Sequence, residues 1–87
     1  MKFTIAHARD GVGFQIDVQV NAEGDERLAS VKTEMDNFPL ATDTLPATEV
    51  QYQRRFSQVS GSGINHLVRV TATNTKGTVQ SASQQWT

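Results

Sequence analysis

Residues 66–86, HLVRVTATNTKGTVQSASQQW, are the stretch that decides the fold. Apolar and polar residues alternate in its first half, and this period of two puts one set on a buried face and the other toward solvent. The apolar set is Val68, Val70 and Ala72. Asn74 and Gly77 then indicate a tight turn, because Asn favours the start of a turn and Gly accepts a positive φ. The stretch therefore predicts two strands joined by a hairpin turn.

The second strand of this hairpin carries glutamines on the same parity as its apolar residues. That parity comprises Thr78, Gln80, Ala82, Gln84 and Trp86. An extra residue in one strand moves the following side chains to the other face. We therefore expect a β-bulge near Gln84 and Gln85.

Outward from the hairpin, alternating apolar residues predict further strands. We expect them over residues 2–7, 14–22, 28–36 and 49–58, with a short edge strand over 40–42 at most. Arg54 interrupts the apolar parity of residues 49–58, so it either lies at a strand end with its head group in solvent or marks a register shift. About seven short strands without helical periodicity favour a two-sheet β-sandwich, with residues 1–87 as a single domain.

Two motifs resemble immunoglobulin-like domains of bacterial proteins and the related fibronectin type III pattern. The first is H-x-V-x-V-x-A-x-N-x-x-G, from His66 to Gly77, which is similar to strands F and G of those domains. The second is LASVKTEMDN followed by LATDT and a proline, although Asn37 replaces the usual Gly and Ala47 the usual Tyr. The resemblance covers about residues 14–86. It implies an all-β, Ig-like sandwich in which strands C, F and G share one sheet beside strands A, B and E.

Composition excludes several classes of protein. The net charge of −1 argues against a dedicated nucleic-acid binder, which normally carries a basic patch or stripe. The chain has no cysteine, so disulfides and Cys-ligated zinc are excluded. No apolar run is long enough for a spanning helix, and the first residues lack the apolar core of a signal peptide. We therefore expect no membrane association and, by default, a cytoplasmic protein, or an extracellular one if the chain is a module of a longer exported protein.

The two histidines, His7 and His66, are the only candidates for acid–base chemistry. No motif for an activated nucleophile accompanies either of them. His66 is better interpreted as a polar-tipped aromatic at a strand corner, hydrogen-bonded to backbone as a corner tyrosine is. The sequence therefore predicts neither a catalytic site nor a cofactor.

An acidic loop is the best candidate for a metal site. Glu23, Asp25 and Glu26 supply part of the oxygen shell that Ca²⁺ requires, and Asn74 lies at the same end of an Ig-like sandwich. Their spacing matches no calcium-binding loop. We therefore expect a solvated loop rather than a metal centre.

A partner surface is predicted on the side of the sheet that faces solvent. Its residues, which we call the outer face, are Lys32, Glu34, Leu67, Arg69 and Val79. Leu67 and Val79 would give a small apolar centre with a charged rim, as many contact faces have. Opposite charges on neighbouring strands can equally be explained by pairing within the sheet. The simplest use of such a face is a two-fold dimer.

These observations predict a non-catalytic binding or structural module that interacts with protein or carbohydrate. The alternative is a small OB-type β-barrel that binds an oligonucleotide or a sugar. The strand order separates the two, because a closed five-stranded barrel would replace two separate sheets.

Overall fold

The computed structural model describes residues 1–61 and 63–87 and contains seven β-strands. The strands are β1 (Lys2–Asp10), β2 (Gly13–Asn21), β3 (Leu28–Met35), β4 (Phe38–Thr44), β5 (Gln51–Val59), β6 (His66–Asn74) and β7 (Val79–Trp86). The predicted hairpin is β6–β7. Its turn closes with hydrogen bonds from Gly77 N to Asn74 O and from Asn74 N to Thr78 O, both 3.0 Å long. Gly77 has a φ of +87°, which is the conformation that the sequence predicted for it.

The strands form two antiparallel sheets. One sheet has the order β1-β2-β5, and the other has the order β4-β3-β6-β7. The third, sixth and seventh strands thus share a sheet, and the first, second and fifth strands form the other one. This arrangement confirms the predicted β-sandwich and differs from a closed five-stranded barrel. The part of the chain that the structure describes offers no helix that could span a bilayer.

The core lies between the two sheets and is built from the predicted apolar parities. Its fully buried side chains include Val18 of β2 and Val70 of β6, at the middle of their strands. The other buried apolar residues are Ile16, Val20, Leu28, Val31, Met35, Tyr52, Val68 and Ala72. Burial of a branched aliphatic side chain contributes about 1.5–3 kcal/mol, so these residues are the main source of stability.

The predicted bulge near Gln84 and Gln85 is wrong. The register between β6 and β7 runs without a shift from Thr73 opposite Val79 to His66 opposite Trp86. Gln84 does face inward, but it lies where β7 approaches β1. There its amide group donates to Ile5 O at 3.0 Å and accepts from His7 Nδ1 at 2.7 Å. The side chain satisfies its polar atoms in the gap between the sheets, so the strand needs no bulge.

The β4 strand is longer than the three residues predicted. The strand contains Pro39, and β4 lies at the edge of its sheet, where a residue without an N–H group is tolerated. The register between β3 and β4 shifts beside it, between Thr33 and Glu34. The observed β4 places Asp43 inward, opposite the buried Val31.

The β4 and β5 strands meet at one long side of the sandwich, which we call the β4–β5 seam. Asp43 accepts a hydrogen bond from the Tyr52 hydroxyl and pairs with Arg54 at 2.8 Å. Arg54 therefore lies in mid-strand, opposite Val18 and away from the register shift, so both predicted alternatives are wrong. Its charged group reaches the rim of the seam and pairs there with Asp43. The opposite long side, the β1–β7 seam, is closed by His7, Gln84 and Trp86.

Candidate functional site

A buried histidine–aspartate pair fastens one end of the sandwich. His66 Nδ1 donates to Asp36 Oδ2 at 3.0 Å, and the side chains of the two residues are only 8% and 10% exposed. The other carboxylate oxygen of Asp36 accepts from the Leu67 N–H at 2.8 Å. Asp36 N in turn donates to Leu67 O at 2.8 Å. The pair thus ties the β3–β4 turn to the first residues of β6.

His66 is at the corner that the sequence predicted, but its partner is different. Its ring bonds to a carboxylate, and it is Asp36 that bonds to the backbone. The sequence pattern placed Asp36 at the end of the strand predicted over residues 28–36 and indicated no partner for it. The available signal was the Asp36-Asn37 dipeptide, because Asp and Asn adopt a left-handed backbone more readily than other non-glycine residues. Their φ values are +51° and +68°.

An aromatic cluster surrounds this pair. The ring of Phe14 lies 4.8 Å from the ring of His66 and 5.3 Å from that of Trp86, measured between centroids. His7 stacks on Trp86 at 4.0 Å with an interplanar angle of 8°. Four aromatic rings, one each from β1, β2, β6 and β7, therefore cover the core at this end of the sandwich. Trp86 Nε1 is buried and has no hydrogen-bond partner among the described residues.

A cleft of about 550 Å³ opens outward from this cluster. Its floor consists of Phe14, His66 and Trp86, and its walls come from the β1–β2 turn and the loop between β5 and β6. We call this end of the sandwich, with the β3–β4 turn, the cleft end. Gly61 belongs to the wall and packs directly against the His66–Asp36 pair.

Exposed apolar side chains concentrate at the cleft end. Of the large apolar residues described as exposed, Val12 and Ile64 lie on two connections there and Phe38 is the first residue of β4, with relative exposures of 102%, 80% and 71%. Phe38 borders a second, apolar hollow that shares Gly61 with the cleft. Arg9 also lines the cleft, with its guanidinium group 5.2 Å from the centre of the Phe14 ring. No ion pair of Arg9 is present among the described residues.

The acidic loop holds an ammonium group where a metal ion was considered. Glu26 lies 3.0 Å and Glu23 3.3 Å from the Met1 α-ammonium nitrogen. Asn74 Nδ2 donates to Glu26 Oε2 at 2.8 Å, and this bond, followed by the ammonium group, lowers the pKa of Glu26. The hydrogen bond to Glu26 raises the pKa of the ammonium group. Asp25 does not share these contacts.

The side-chain oxygen of Asn74 is engaged within its own turn. Its Oδ1 accepts from the Lys76 and Thr78 N–H groups, both at 2.9 Å. A calcium ion would have to displace these bonds. Among the described residues, no three acidic or histidine side chains are arranged to hold a metal ion.

The five residues of the predicted outer face do lie on one side of the four-stranded sheet, but its apolar members are separated. Leu67 is opposite Gln85, whereas Val79 is opposite Thr73 near the other end of β6. Six residues along β6 correspond to about 20 Å, so Leu67 and Val79 form no common patch. Lys32 and Glu34 lie 3.9 Å apart on β3, and Glu34 is opposite Arg69. The structure therefore groups the charged residues and separates the apolar ones.

Asp43, Tyr52 and Arg54 are electrostatically coupled at the β4–β5 seam. The hydrogen bond from Tyr52, together with Arg54, lowers the pKa of Asp43. Burial, followed by the bond to Asp43, raises the pKa of the Tyr52 hydroxyl. Both groups are thus held in the protonation states that favour their contact at neutral pH. The cluster joins β4 of one sheet to β5 of the other, so it acts as a structural tie.

No protein-family model matches the sequence, and comparisons with curated proteins and with solved structures return no significant match.

Proposed function

We propose that this chain is a non-catalytic binding or structural module of the immunoglobulin-like and fibronectin type III-like kind. Two observations support the assignment. The first, second and fifth strands face a sheet containing the third, sixth and seventh, as those domains require. The motif from His66 to Gly77 occupies β6 and the β6–β7 turn, where the resemblance places it. A fold does not determine a function, so the binding role rests on a surface.

The cleft end is the surface that supports binding best. The observation that carries the proposal is that Val12 and Ile64 line an aromatic-floored cleft, and Phe38 lines the apolar hollow that shares Gly61 with it. Contiguous exposed apolar surface marks interaction sites more reliably than single exposed residues do. The outer face, by contrast, has its two apolar residues at opposite ends.

The chemistry of the cleft favours a protein partner over a carbohydrate. Sugars stack on open aromatic faces, but one face of Trp86 is covered by His7 and the indole nitrogen is buried. The rim is aliphatic and aromatic, and Arg9 is the cationic group at the wall. The fitting ligand is a protein segment that presents an apolar side chain next to a carboxylate.

His66 has a structural task in this proposal, and the module is not an enzyme. Its Nδ1 is committed to a carboxylate, and the ring packs against Gly61 so closely that a Cβ on residue 61 would lie 2.3 Å from Nδ1. This packing fixes the loop between β5 and β6, which carries Ile64. The pair therefore shapes the cleft wall rather than acting on a substrate.

Partner capture from the native lysate, with identification and direct titration of the purified partner, tests the proposal. Ile64→Asp and Phe38→Asp should abolish binding, since each puts a charge into the apolar rim. Val50→Asp is the matched control, because Val50 is an exposed apolar residue of the β4–β5 connection at the opposite end. Arg9→Gln should selectively weaken the binding of a partner that presents a carboxylate. Equal binding by the parent and by all of these variants would contradict the proposed site.

A further inference from the structure

The β7 strand is an edge of the four-stranded sheet, with β6 on one side and, among the residues that the structure describes, no strand on the other. An edge strand presents unpaired N–H and C=O groups, which readily pair with another chain. Proteins commonly protect such edges with charged residues, proline or irregular pairing.

The other three edge strands have this protection. The β1 strand has charged residues at both ends, Lys2 and Asp10. The β4 strand contains Pro39 and a register shift, and β5 contains Arg54 and Arg55 as well as a register shift. Each of these edges would resist an added strand.

The β7 strand has none of these features. Its eight residues, VQSASQQW, include no charge, no proline and no glycine. Its pairing with β6 is regular along its whole length. A regularly paired, uncharged edge of this length is a template for strand addition.

The hairpin geometry shows which backbone groups face outward. Asn74 N donates to Thr78 O, so residues 74 and 78 occupy a hydrogen-bonding position of the ladder, and in an antiparallel ladder such positions alternate with non-bonded ones. Gln80, Ala82, Gln84 and Trp86 therefore direct their backbone groups toward β6. The open edge belongs to the alternate residues, whose side chains are all exposed: Val79, Ser81, Ser83 and Gln85.

We propose that a second copy of this chain pairs its β7 antiparallel to β7 through this edge, about a two-fold axis at Ala82. In that register Val79 faces Gln85 of the second copy and Ser81 faces Ser83, so every outward backbone group is paired in about eight hydrogen bonds. No charged side chains meet in these pairs. The product is one continuous sheet that spans two sandwiches.

Pairing of two β7 strands is also compatible with the outward side chains of the neighbouring strand, β6. The Arg69 residues of the two copies are separated by three inter-strand spacings, or about 14 Å, across the β7–β7 contact. This distance exceeds the screening length of about 8 Å in physiological salt. Leu67 lies opposite Gln85, which in turn faces Val79 of the second copy. The two apolar residues that are separated within one chain thus enter one row of the joined sheet. The edge does not depend on the cleft, so it can be tested separately.

Sedimentation analysis from low micromolar to millimolar protein tests the proposal. The parent should show a reversible monomer–dimer equilibrium. Ser83→Pro removes an outward N–H group and places a pyrrolidine ring in the dimer seam, yet an edge strand tolerates it in the monomer. The dissociation constant should rise roughly tenfold or more. Ser83→Ala, which keeps the N–H group, is the matched control and should dimerise like the parent.

Amide hydrogen exchange of the parent provides a second measurement that needs no variant. Dimerisation should slow exchange of Val79, Ser81, Ser83 and Gln85 as concentration rises, while Ala82 stays protected throughout. A monomer at every concentration overturns the proposal. So does a dimer that Ser83→Pro leaves intact but Leu67→Asp disrupts, since that result assigns the contact to the outer face.

Discussion

Replacing Gly61 with alanine should destabilise the cleft end by a packing conflict that the structure defines closely. The new Cβ would lie 2.3 Å from Nδ1 and 2.5 Å from Cε1 of His66, whereas ordinary contacts begin near 3.4 Å. The His66 ring must therefore move by about 1 Å, but it is held between Phe14 and Trp86 and is 8% exposed. Its 3.0 Å bond to Asp36 would be distorted. Overpacking of this kind costs about 1–3 kcal/mol of unfolding free energy.

Denaturant unfolding followed by tryptophan fluorescence measures this cost, because the only tryptophan, Trp86, belongs to the same cluster. For a domain of this size each kcal/mol corresponds to about 4–8 °C in Tm. The decisive control is Gly61→Ala in a His66→Ala background. There the methyl group meets the space vacated by the ring, and it should cost less than about 0.5 kcal/mol. An equal cost in both backgrounds would refute the packing argument.

Three further predictions follow from the fold. Val70→Ala should cost about 1.5–3 kcal/mol, since Val70 is fully buried, and an unchanged denaturant midpoint would contradict its place in the core. Gly77→Val should cost about 1–2 kcal/mol because its φ is +87°, whereas a melting curve like that of the parent would point to another turn geometry. Tyr52→Phe should raise the lowered pKa of Asp43 toward its usual value of 3.8, as NMR titration of the carboxyl can show. The hydrogen bond stabilises the ionised carboxylate, so Tyr52→Phe should cost most above about pH 4 and progressively less as pH falls through the folded-state pKa of Asp43; a cost independent of pH would contradict this assignment.

Millimolar Ca²⁺ should leave the amide signals of residues 23–26 unchanged. The carboxylate of Glu26 is already held by Asn74 and the Met1 ammonium group, and Asn74 Oδ1 is engaged in its turn. NMR titration checks this, and saturable shifts shared with Asn74 would establish a calcium site instead.

Much of the fold could be predicted because burial and parity are coupled in a two-sheet protein. Val18 and Val70 lie on unbroken alternating parities, and both are buried. The errors occurred where the two sheets meet at their sides. Gln84 looked misplaced because its partners, His7 and Ile5 O, lie 77 and 79 residues away in the sequence. A local pattern contains no information about such contacts.

The candidate site was less predictable for a related reason. The cleft needs Phe14, His66 and Trp86 from three separate strands together with apolar loop residues. Val12 and Ile64 each appear in the sequence as single apolar residues between turn signals, which are normal on protein surfaces. Only the topology shows that their connections are at the same end. Asp36 was missed because its partner, His66, is 30 residues away.

The two seams differ in chemistry, and this difference gives the sandwich a preferred direction of opening. The β4–β5 seam depends on the charge of Asp43, whereas the β1–β7 seam depends on ring stacking and on the amide of Gln84. The stacking of His7 on Trp86 and the bond from the Gln84 amide to Ile5 O involve no carboxylate. Acid therefore weakens the β4–β5 seam and leaves the β1–β7 seam closed. The two sheets should separate first between β4 and β5 while β1 and β7 stay in contact. Faster amide exchange in β4 than in β7 below about pH 4 would reveal this opening, and uniform exchange would exclude it.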